Sequence, residues 1–351
     1  LATPVRRLAV EAGGEARWSF GSAQEQRQSG GALILRENYR GSSTRQGAFA
    51  GATLSVTPTL SLSPGLRVDR WGLIGTSAAS PWLTGRWQMF PALALRGGLG
   101  DYRQAPGFDE ALGLRGNRAL RPMRATHHDL GLEGTLPGGF AWQMSGYWRT
   151  DADGWRRANS EVRVVNGRVV FASTTGLFAN ALTGQSKGVE WLLERRSRNG
   201  VSGWLTYAYG RTRVTDTLTG ESFWGDYDQR HTFSAFATYR TSDRMSVGVR
   251  VRAGSNLPAT GYWTERADRQ YVTDVRNTLR VPDYARLDLR VDRTFTWSEK
   301  RLTVFLDLLN ATRRRNVRYL PPGVNRTTFE ATGMFESLVP LVPSVGALLE
   351  F

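Results

Sequence analysis

The stretch Tyr284-Ala-Arg-Leu-Asp-Leu-Arg-Val-Asp-Arg-Thr-Phe295 decides the fold class, because its side chains alternate with a period of two. One face carries Ala285, Leu287, Leu289 and Val291, and the other carries Arg286, Asp288, Arg290 and Asp292. A packed core rarely accepts so many charges on one strand face, since each buried charge needs a partner. The enclosed interior of a membrane barrel accepts them, because opposite charges pair across neighbouring strands there. We therefore predict a transmembrane β-strand with its apolar side toward lipid.

The same alternation recurs in other parts of the chain, namely in residues 130–133, 189–194, 245–252 and 302–308. Not every inward position is polar, but the period of two dominates. The alternation predicts that the charged, lumen-lining side includes Glu190, Glu194, Arg250, Arg252, Arg286, Asp288 and Arg290.

Connections between the predicted strands alternate between short and long. Short turns are expected near residues 57–59, 89–91, 137–139, 198–200, 241–243 and 298–300. Long connections are expected at residues 21–44, 73–79, 104–121, 156–183, 214–226, 257–283 and 314–340. Short turns on one side and long loops on the other are typical of outer-membrane barrels, whose long loops are extracellular. The prediction is an all-β, antiparallel transmembrane barrel with about fourteen strands in this chain.

Composition excludes several other classes of protein. The sequence has no run of about 18 consecutive apolar residues, so it contains no candidate transmembrane helix. It has no cysteine and only three histidines, His127, His128 and His231, so we expect no metal site and no cofactor. The net charge is +15 and comes almost entirely from arginine. Because the arginines are scattered rather than clustered, we expect no nucleic-acid partner. We assign the charge instead to a barrel interior and to loops that face anionic lipopolysaccharide.

The chain ends on an alternating apolar segment that stops at an aromatic residue. Its apolar face consists of Val345, Ala347, Leu349 and Phe351. This pattern resembles the signal that the outer-membrane assembly machinery reads. We therefore expect that machinery to be a partner of the protein.

Several motifs occur in an order and spacing that resemble one family across residues 90–351. Leu99-Gly-Asp-Tyr-Arg-Gln-Ala-Pro-Gly-Phe-Asp-Glu110 is similar to the family's strand end and following loop. Asn117-Arg-Ala-Leu-Arg-Pro122 and Leu130-Gly-Leu-Glu133 resemble its N-x-x-L-x-P-E and E-x-G-x-E passage, with Met123 and Asp129 replacing glutamates. Further matches are Gly188-Val-Glu190, Ala253-Gly-Ser-Asn-Leu-Pro258, Tyr284-Ala-Arg-Leu-Asp-Leu-Arg290 and Val304-Phe-Leu-Asp-Leu-Leu-Asn310. The chain resembles the C-terminal half of TonB-dependent receptors.

The resemblance implies a 22-stranded barrel in the outer membrane of a Gram-negative bacterium, with an N-terminal plug domain in its lumen. Spread over 22 strands, 351 residues leave about 16 per strand, too few for strands with long loops. We therefore expect residues 1–351 to be the C-terminal portion of such a barrel, without the plug, the first strands and the segment that contacts TonB. The alternative is a complete barrel of about fourteen strands. In the 22-stranded barrel, the lumen charges would satisfy one another and dock the plug. Alternatively, they would line a path through the barrel.

The function that the resemblance implies is energy-coupled uptake of a scarce nutrient, such as a siderophore, cobalamin or a glycan. A small-molecule ligand would contact rings and arginines of the extracellular loops, which offer rigid contact area and bind carboxylates or phosphates. The expected contact residues are Tyr102, Phe108, Trp155, Arg156, Trp224, Tyr227, Tyr262, Trp263, Arg266 and Tyr271. The alternative is that these side chains pack the loops against one another.

Three other functions remain open from the sequence. A passive porin of about fourteen strands would form an open channel with a weak preference for anions. An outer-membrane enzyme would need a nucleophile beside a base, and no serine or acid is spaced around the histidines to suggest one. We therefore expect no catalytic residue. A structural or adhesive barrel is the third alternative, since long loops permit it.

Overall fold

Alternating segments form antiparallel strands throughout the computed structural model, which describes residues 7–29, 31–173 and 175–351. The first part of the chain contains β1 (Leu8–Ser29), β2 (Ala32–Ser55), β3 (Leu60–Trp71), β4 (Thr76–Phe90), β5 (Leu93–Gln104), α1 (Phe108–Leu112), β6 (Met123–Leu136), β7 (Phe140–Arg157), β8 (Arg163–Val165), β9 (Arg168–Val170) and β10 (Phe178–Arg198). The second part contains β11 (Val201–Asp216), β12 (Ser222–Trp224), β13 (His231–Ser242), β14 (Met245–Gly254), β15 (Trp263–Arg266), β16 (Arg269–Val272), β17 (Tyr284–Trp297), β18 (Lys300–Leu309), β19 (Val317–Tyr319), β20 (Gly323–Val324), β21 (Glu330–Thr332), β22 (Phe335–Ser337) and β23 (Val342–Glu350). Within the described ranges, no helix is both long and apolar enough to cross a lipid bilayer.

One sheet of fifteen strands makes up most of the fold. Fourteen of its strands follow one another in the order β1-β2-β3-β4-β5-β6-β7-β10-β11-β13-β14-β17-β18-β23, and β12 pairs with β11 outside this path. Each long strand pairs with the next long strand in the chain, always antiparallel. The predicted strand class and strand number are therefore confirmed. No pairing between β1 and β23 occurs in the described residues, so both are edge strands.

Strand register places the predicted apolar and charged side chains on opposite faces of the sheet. Leu289 of β17 lies opposite Val249 of β14 and Leu308 of β18. Arg286 lies opposite Arg252 of β14 on the other face. Residues that face each other across a ladder share a face. The apolar face and the polar face, as we call them, therefore each continue from strand to strand.

The C-terminal apolar residues belong to the apolar face. Val345 lies opposite Leu306, and Leu349 lies opposite Leu302. Val345 is 73% exposed, and Phe351, which follows β23, is 94% exposed. Large apolar side chains with this exposure are typical of a surface that meets lipid.

The connections confirm the predicted layout, with two corrections. Each predicted short turn is present at one end of the sheet, and most of the predicted long loops lie at the other end. Residues 21–44 are not a loop, because β1 and β2 run for 22 and 24 residues and cover most of this range. The predicted long connection at residues 73–79 is also absent, because a short turn at residues 72–75 joins β3 to β4, which begins at Thr76. The prediction failed at residues 21–44 because no period of two is visible there: an apolar run at residues 32–35 lies between polar stretches, whereas the backbone ladder needs no such period.

The buried apolar core lies in the long connections rather than in the sheet. Its members are Ala259, Trp263, Val272, Val281, Ala331 and Met334, from residues 255–283 and 310–341. Val162, Val164 and Val169 of the connection 158–177 pack against them. Strands β15, β16, β21 and β20 pair in one small sheet that joins two of these connections. We call this assembly of connections 158–177, 255–283 and 310–341 the loop core.

Replacing Val249 with arginine tests the assignment of the two faces. The charge would lie on the apolar face in the middle of β14, where lipid offers no partner. We expect folding into lipid vesicles to lose about 2–4 kcal/mol, measured by chemical denaturation. The control is Ser145→Arg on the polar face, opposite Glu190, with an expected change of about 0–1 kcal/mol. Equal losses in both variants would contradict the assignment.

Candidate functional site

Ion pairs organise the polar face around β17. Arg286 Nη2 lies 2.6 Å from Asp288 Oδ2, and Arg290 Nη2 lies 2.8 Å from Asp292 Oδ1. Arg290 also reaches Asp307 of β18 at 3.1 Å. The charges therefore pair mainly along their own strand, two residues apart, and only partly across strands as the sequence had suggested. Side chains two residues apart share a strand face, so this pairing needs no neighbouring strand.

Arg250 and Arg252 lie on the same face, at the positions opposite Asp288 and Arg286. Among the described residues, neither side chain forms an ion pair, and the Nε of Arg250 is buried without a hydrogen-bond partner. Glu190 and Glu194 lie further along the polar face, on β10, opposite Ala208 and Trp204 of β11. The register thus places every predicted lumen residue on one continuous face.

A second group of ion pairs on this face was missed by the sequence analysis. Arg67 Nη2 lies 2.6 Å from Glu15 Oε1, and its Nε lies 2.7 Å from Asp69 Oδ2. Arg45 joins the group at 3.1 Å from Asp69 Oδ1. The alternation of charged and apolar residues around Val68 was the available signal. The polar face is therefore charged from β1 to β23, with many of its charges already paired.

The predicted ligand contacts do not gather in one place. Tyr262 is only 1% exposed, and its hydroxyl donates to Glu221 Oε2 at 2.6 Å. Trp263 belongs to the loop core, and its Nε1 donates to the carbonyl of Thr260 at 2.9 Å. These rings hold the loops together, which is the alternative that the sequence left open.

Three other predicted contacts lie near β7, β11 and β12 and are held by protein partners. Trp155 Nε1 donates to the carbonyl of Arg121 at 2.9 Å. Arg156 pairs with Glu161 at 2.9 Å. The guanidinium groups of Arg213 and Arg230 lie over the ring of Trp224, 4.8 and 4.6 Å from its centroid.

Of the remaining predicted contacts, three are exposed and two are half-buried. Tyr102 lies on the polar face with its ring centroid 4.9 Å from that of His127. Tyr227 is 91% exposed. Arg266 is exposed at the end of β15, and Tyr271 is half-buried on β16. Phe108 begins α1 and stacks on Tyr39, with ring centroids 6.5 Å apart.

Glycines on β1 and β2 let α1 lie against the polar face. A side chain at Gly21 would collide with the ring of Phe108, and one at Gly41 would collide with Leu112. Because Gly21 and Gly41 carry no Cβ, the helix approaches the strands directly. The predicted loop residue Phe108 is therefore a packing residue on the inner side of the sheet.

One buried arginine ties three connections together. Arg276 has a side chain 7% exposed, and its Nε lies 2.8 Å from Glu161 Oε2. Its Nη1 lies 2.5 Å from Asp226 Oδ1, and its guanidinium group lies 4.7 Å from the centroid of Phe223. Glu161, Asp226 and Arg276 belong to the connections 158–177, 217–230 and 255–283. We call these three residues the loop anchor.

Two cavities lie at the loop end. One has a volume of about 630 Å³ and is bordered by the loop anchor and by Arg149, Asp151 and Trp155. The other has a volume of about 1050 Å³ and lies beside α1, between β1, β2 and the end of β7. Both are of the size that small-molecule sites need.

Comparison with known proteins identifies the family. Residues 8–311 match the model of the TonB dependent receptor-like β-barrel. The chain belongs to this family. The resemblance seen in the sequence is thereby confirmed, and so is the predicted location, because TonB-dependent receptors are outer-membrane proteins of Gram-negative bacteria. No characterised protein sequence matches the chain.

Solved structures of receptors share the fold at low identity. A mutant of the ferric enterobactin receptor PfeA from Pseudomonas aeruginosa has a TM-score of 0.65 at 16% identity, covering 89% of this chain and 45% of that chain. FpvA from P. aeruginosa, bound to a heterologous pyoverdine and iron, has a TM-score of 0.65 at 15% identity, covering 99% and 46%. The FrpB iron transporter from Neisseria meningitidis has a TM-score of 0.63 at 13% identity, covering 99% and 53%. The chain spans about half the length of the structures that it matches.

The variant Arg276→Gln tests the loop anchor. It leaves Glu161 and Asp226 without their shared cation, and because both carboxylates are partly exposed we expect a loss of about 1–3 kcal/mol. We expect faster protease cleavage within residues 255–283, with unchanged strand content by circular dichroism. Arg269→Gln is the control, because the pair of Arg269 with Glu330 is exposed and contributes about 0–1 kcal/mol. Identical cleavage rates in both variants would contradict the anchor.

The loop anchor should also weaken in acid. Burial opposes ionisation of Asp226, but the hydrogen bond and charge of Arg276 outweigh burial and hold its pKa below the ordinary value of 3.8. The stabilisation is therefore complete above pH 3.8 and is lost as the pH falls through the lower, folded-state pKa. We expect amide exchange in residues 217–230, corrected for the intrinsic rate, to accelerate over that range. Asp226→Asn should abolish the acceleration, and an unchanged pH profile in this variant would refute the role of Asp226.

Proposed function

We propose that this chain is the barrel portion of an outer-membrane receptor for energy-coupled uptake of a scarce nutrient of the siderophore, cobalamin or glycan type. The match of residues 8–311 to the receptor barrel family carries the proposal. Members of that family are transporters rather than enzymes. The same match favours receptor-type uptake over the passive porin considered from the sequence.

The edges of the sheet support a barrel that is closed by further pairing. β1 and β23 each have one neighbour in the described residues, which leaves a row of backbone groups unpaired on each. Lipid offers these groups no hydrogen-bond partner, so open edges do not occur within the hydrocarbon region. We propose residues 1–351 as the C-terminal portion of the family's larger barrel, with additional strands between β23 and β1 and a plug inside. TonB would act through a segment that precedes this portion.

The polar face supports an interior that is filled. Arg250 and Arg252 have no ion-pair partner in the described residues, although their neighbours on β17 are paired. A plug or water inside the barrel would compensate these charges. The paired lumen residues, including Glu15 and Arg67, would then maintain the wall.

Accessible loop residues are the proposed ligand contacts. Tyr102, Tyr227, Arg266 and Tyr271 remain available to a molecule arriving from outside. The members of the predicted set that bind protein partners, Trp155, Arg156, Trp224, Tyr262 and Trp263, would act by holding the loops in place. Outer-membrane lipid and lipopolysaccharide would surround the apolar face, and the assembly machinery would read the terminal strand β23.

Uptake in cells tests the proposed function. Cells that express the full-length protein are supplied with labelled ferric siderophores, cobalamin and oligosaccharides, with and without functional TonB. We expect saturable uptake of one ligand class, and its loss when TonB is absent, because the coupling is energised from the inner membrane. Planar-bilayer conductance provides a second measurement. Uptake that persists without TonB, together with an open channel, would support the porin and contradict the proposal.

A further inference from the structure

Arginine is the most frequent residue in the lining of the larger cavity at the loop end. It has a volume of about 1050 Å³ and lies between the outer ends of β1 and β2, the helix α1, the end of β7 and the connection 158–177. Five arginines and three acids line it: Arg27, Arg36, Arg115, Arg157, Arg326, Glu25, Glu37 and Asp109. The sequence analysis singled out none of these residues, because they come from separate segments.

The cations of this cavity are only partly compensated. Arg115 donates from Nη1 to the carbonyl of Arg36 at 2.9 Å. The described residues provide no ion pair for the other four, Arg27, Arg36, Arg157 and Arg326. One of the acids is already engaged, since Glu37 Oε1 accepts the backbone N–H groups of Asn38 and Leu114 at 3.0 and 2.7 Å. The cavity therefore carries an excess of positive charge.

Aromatic rings lie close to two of the guanidinium groups. Arg157 lies 5.6 Å from the ring centroid of Phe178, and Arg326 lies 4.8 Å from that of Phe171. A ring attracts a cation through its quadrupole but carries no formal negative charge, so the guanidinium group can still bind an anion. These contacts orient the cations without neutralising them. Tyr39, Phe171 and Phe178 also give the cavity apolar walls.

We propose that this basic cavity binds an organic anion with two or more carboxylate or phosphate groups. Guanidinium groups bind both kinds of oxyanion through paired, charge-assisted hydrogen bonds. A polyanion relieves the mutual repulsion of the arginines, whereas a neutral molecule leaves them uncompensated. The inference rests on the proposed function, because it names the class of ligand that the receptor takes.

The position of the cavity favours a soluble ligand over a lipid headgroup. The helix α1 borders it and lies on Gly21 and Gly41, which share the polar face with Glu15 and Arg45. Lipid meets the opposite, apolar face. The cavity is therefore reached from the loop side or the interior, where a small anion diffuses freely.

Direct binding to the purified protein in detergent micelles tests the inference. Isothermal titration calorimetry would use citrate, pyrophosphate and the neutral sugar raffinose as probes. We expect binding of citrate or pyrophosphate that weakens with added salt, and no binding of raffinose. The stronger of the two anions distinguishes a carboxylate from a phosphate ligand. Binding of raffinose as strong as that of both anions, or no binding of either anion, would overturn the inference.

Variants locate the binding in the cavity. Arg36→Gln combined with Arg157→Gln removes two charged donors and should weaken anion binding about tenfold or more. Arg27→Gln is a second cavity variant. Because Arg27 is exposed, we expect its replacement to leave the strands intact. The control is Arg118→Gln. Arg118 is an exposed arginine between α1 and β6 that does not line the cavity. Unchanged affinity in both cavity variants would refute the site, and so would an equal loss of affinity in the control. Displacement of the anion by lipopolysaccharide micelles would also refute it, because the cavity would then bind a lipid headgroup.

This measurement is independent of transport. Anion binding by the cavity requires neither TonB nor a cell, so it can succeed while the uptake assay fails. Uptake of a neutral ligand through TonB, with no anion binding, would preserve the proposed function and eliminate the basic cavity. The two proposals therefore fail in different experiments.

Discussion

Backbone hydrogen bonding in a medium without water is the constraint on which the rest of this structure depends. Every N–H and C=O group within the hydrocarbon region must find a partner in the protein. The chain meets this demand with long strands that each pair with the next long strand, in order, across one sheet. The period-two alternation follows from it, because a strand in the wall of a barrel has one side toward lipid and one toward the interior.

The charged side of the sheet is stable because most of its charges have close partners. Pairs such as Arg286–Asp288 and Arg67–Asp69 join residues on the same strand, and Arg290–Asp307 and Arg67–Glu15 join different strands. Paired charges of this kind lower the cost of an enclosed, partly wet interior. In the part of the chain that the structure describes, Arg250, Arg252, Glu190 and Glu194 are polar-face charges without an ion pair.

The loop end has its own apolar core, and this determines what the loops can do. Trp263, Val272 and Met334 bury apolar area above the sheet, and Arg276 joins three connections by charge. Long loops without such a core would sample many conformations. Because this core orders the loops, some aromatic residues hold the loops together and others remain accessible to a ligand. The basic cavity beside α1 lies within this ordered assembly.

The sequence by itself determined the strand class, the two faces and the side of each short turn, because alternation and turn residues are local properties. It also placed Glu190, Arg250 and Asp288 on the charged face. It failed at residues 21–44, where an apolar run at residues 32–35 between polar stretches obscures the period of two, and it could not separate buried Tyr262 from exposed Tyr227. Only the tertiary structure decided the loop anchor and the basic cavity. In the loop anchor, Arg276 and Glu161 are 115 residues apart in the sequence, and the basic cavity is lined by residues from separate segments. Such contacts depend on how distant connections pack above the sheet, and no local period encodes that packing.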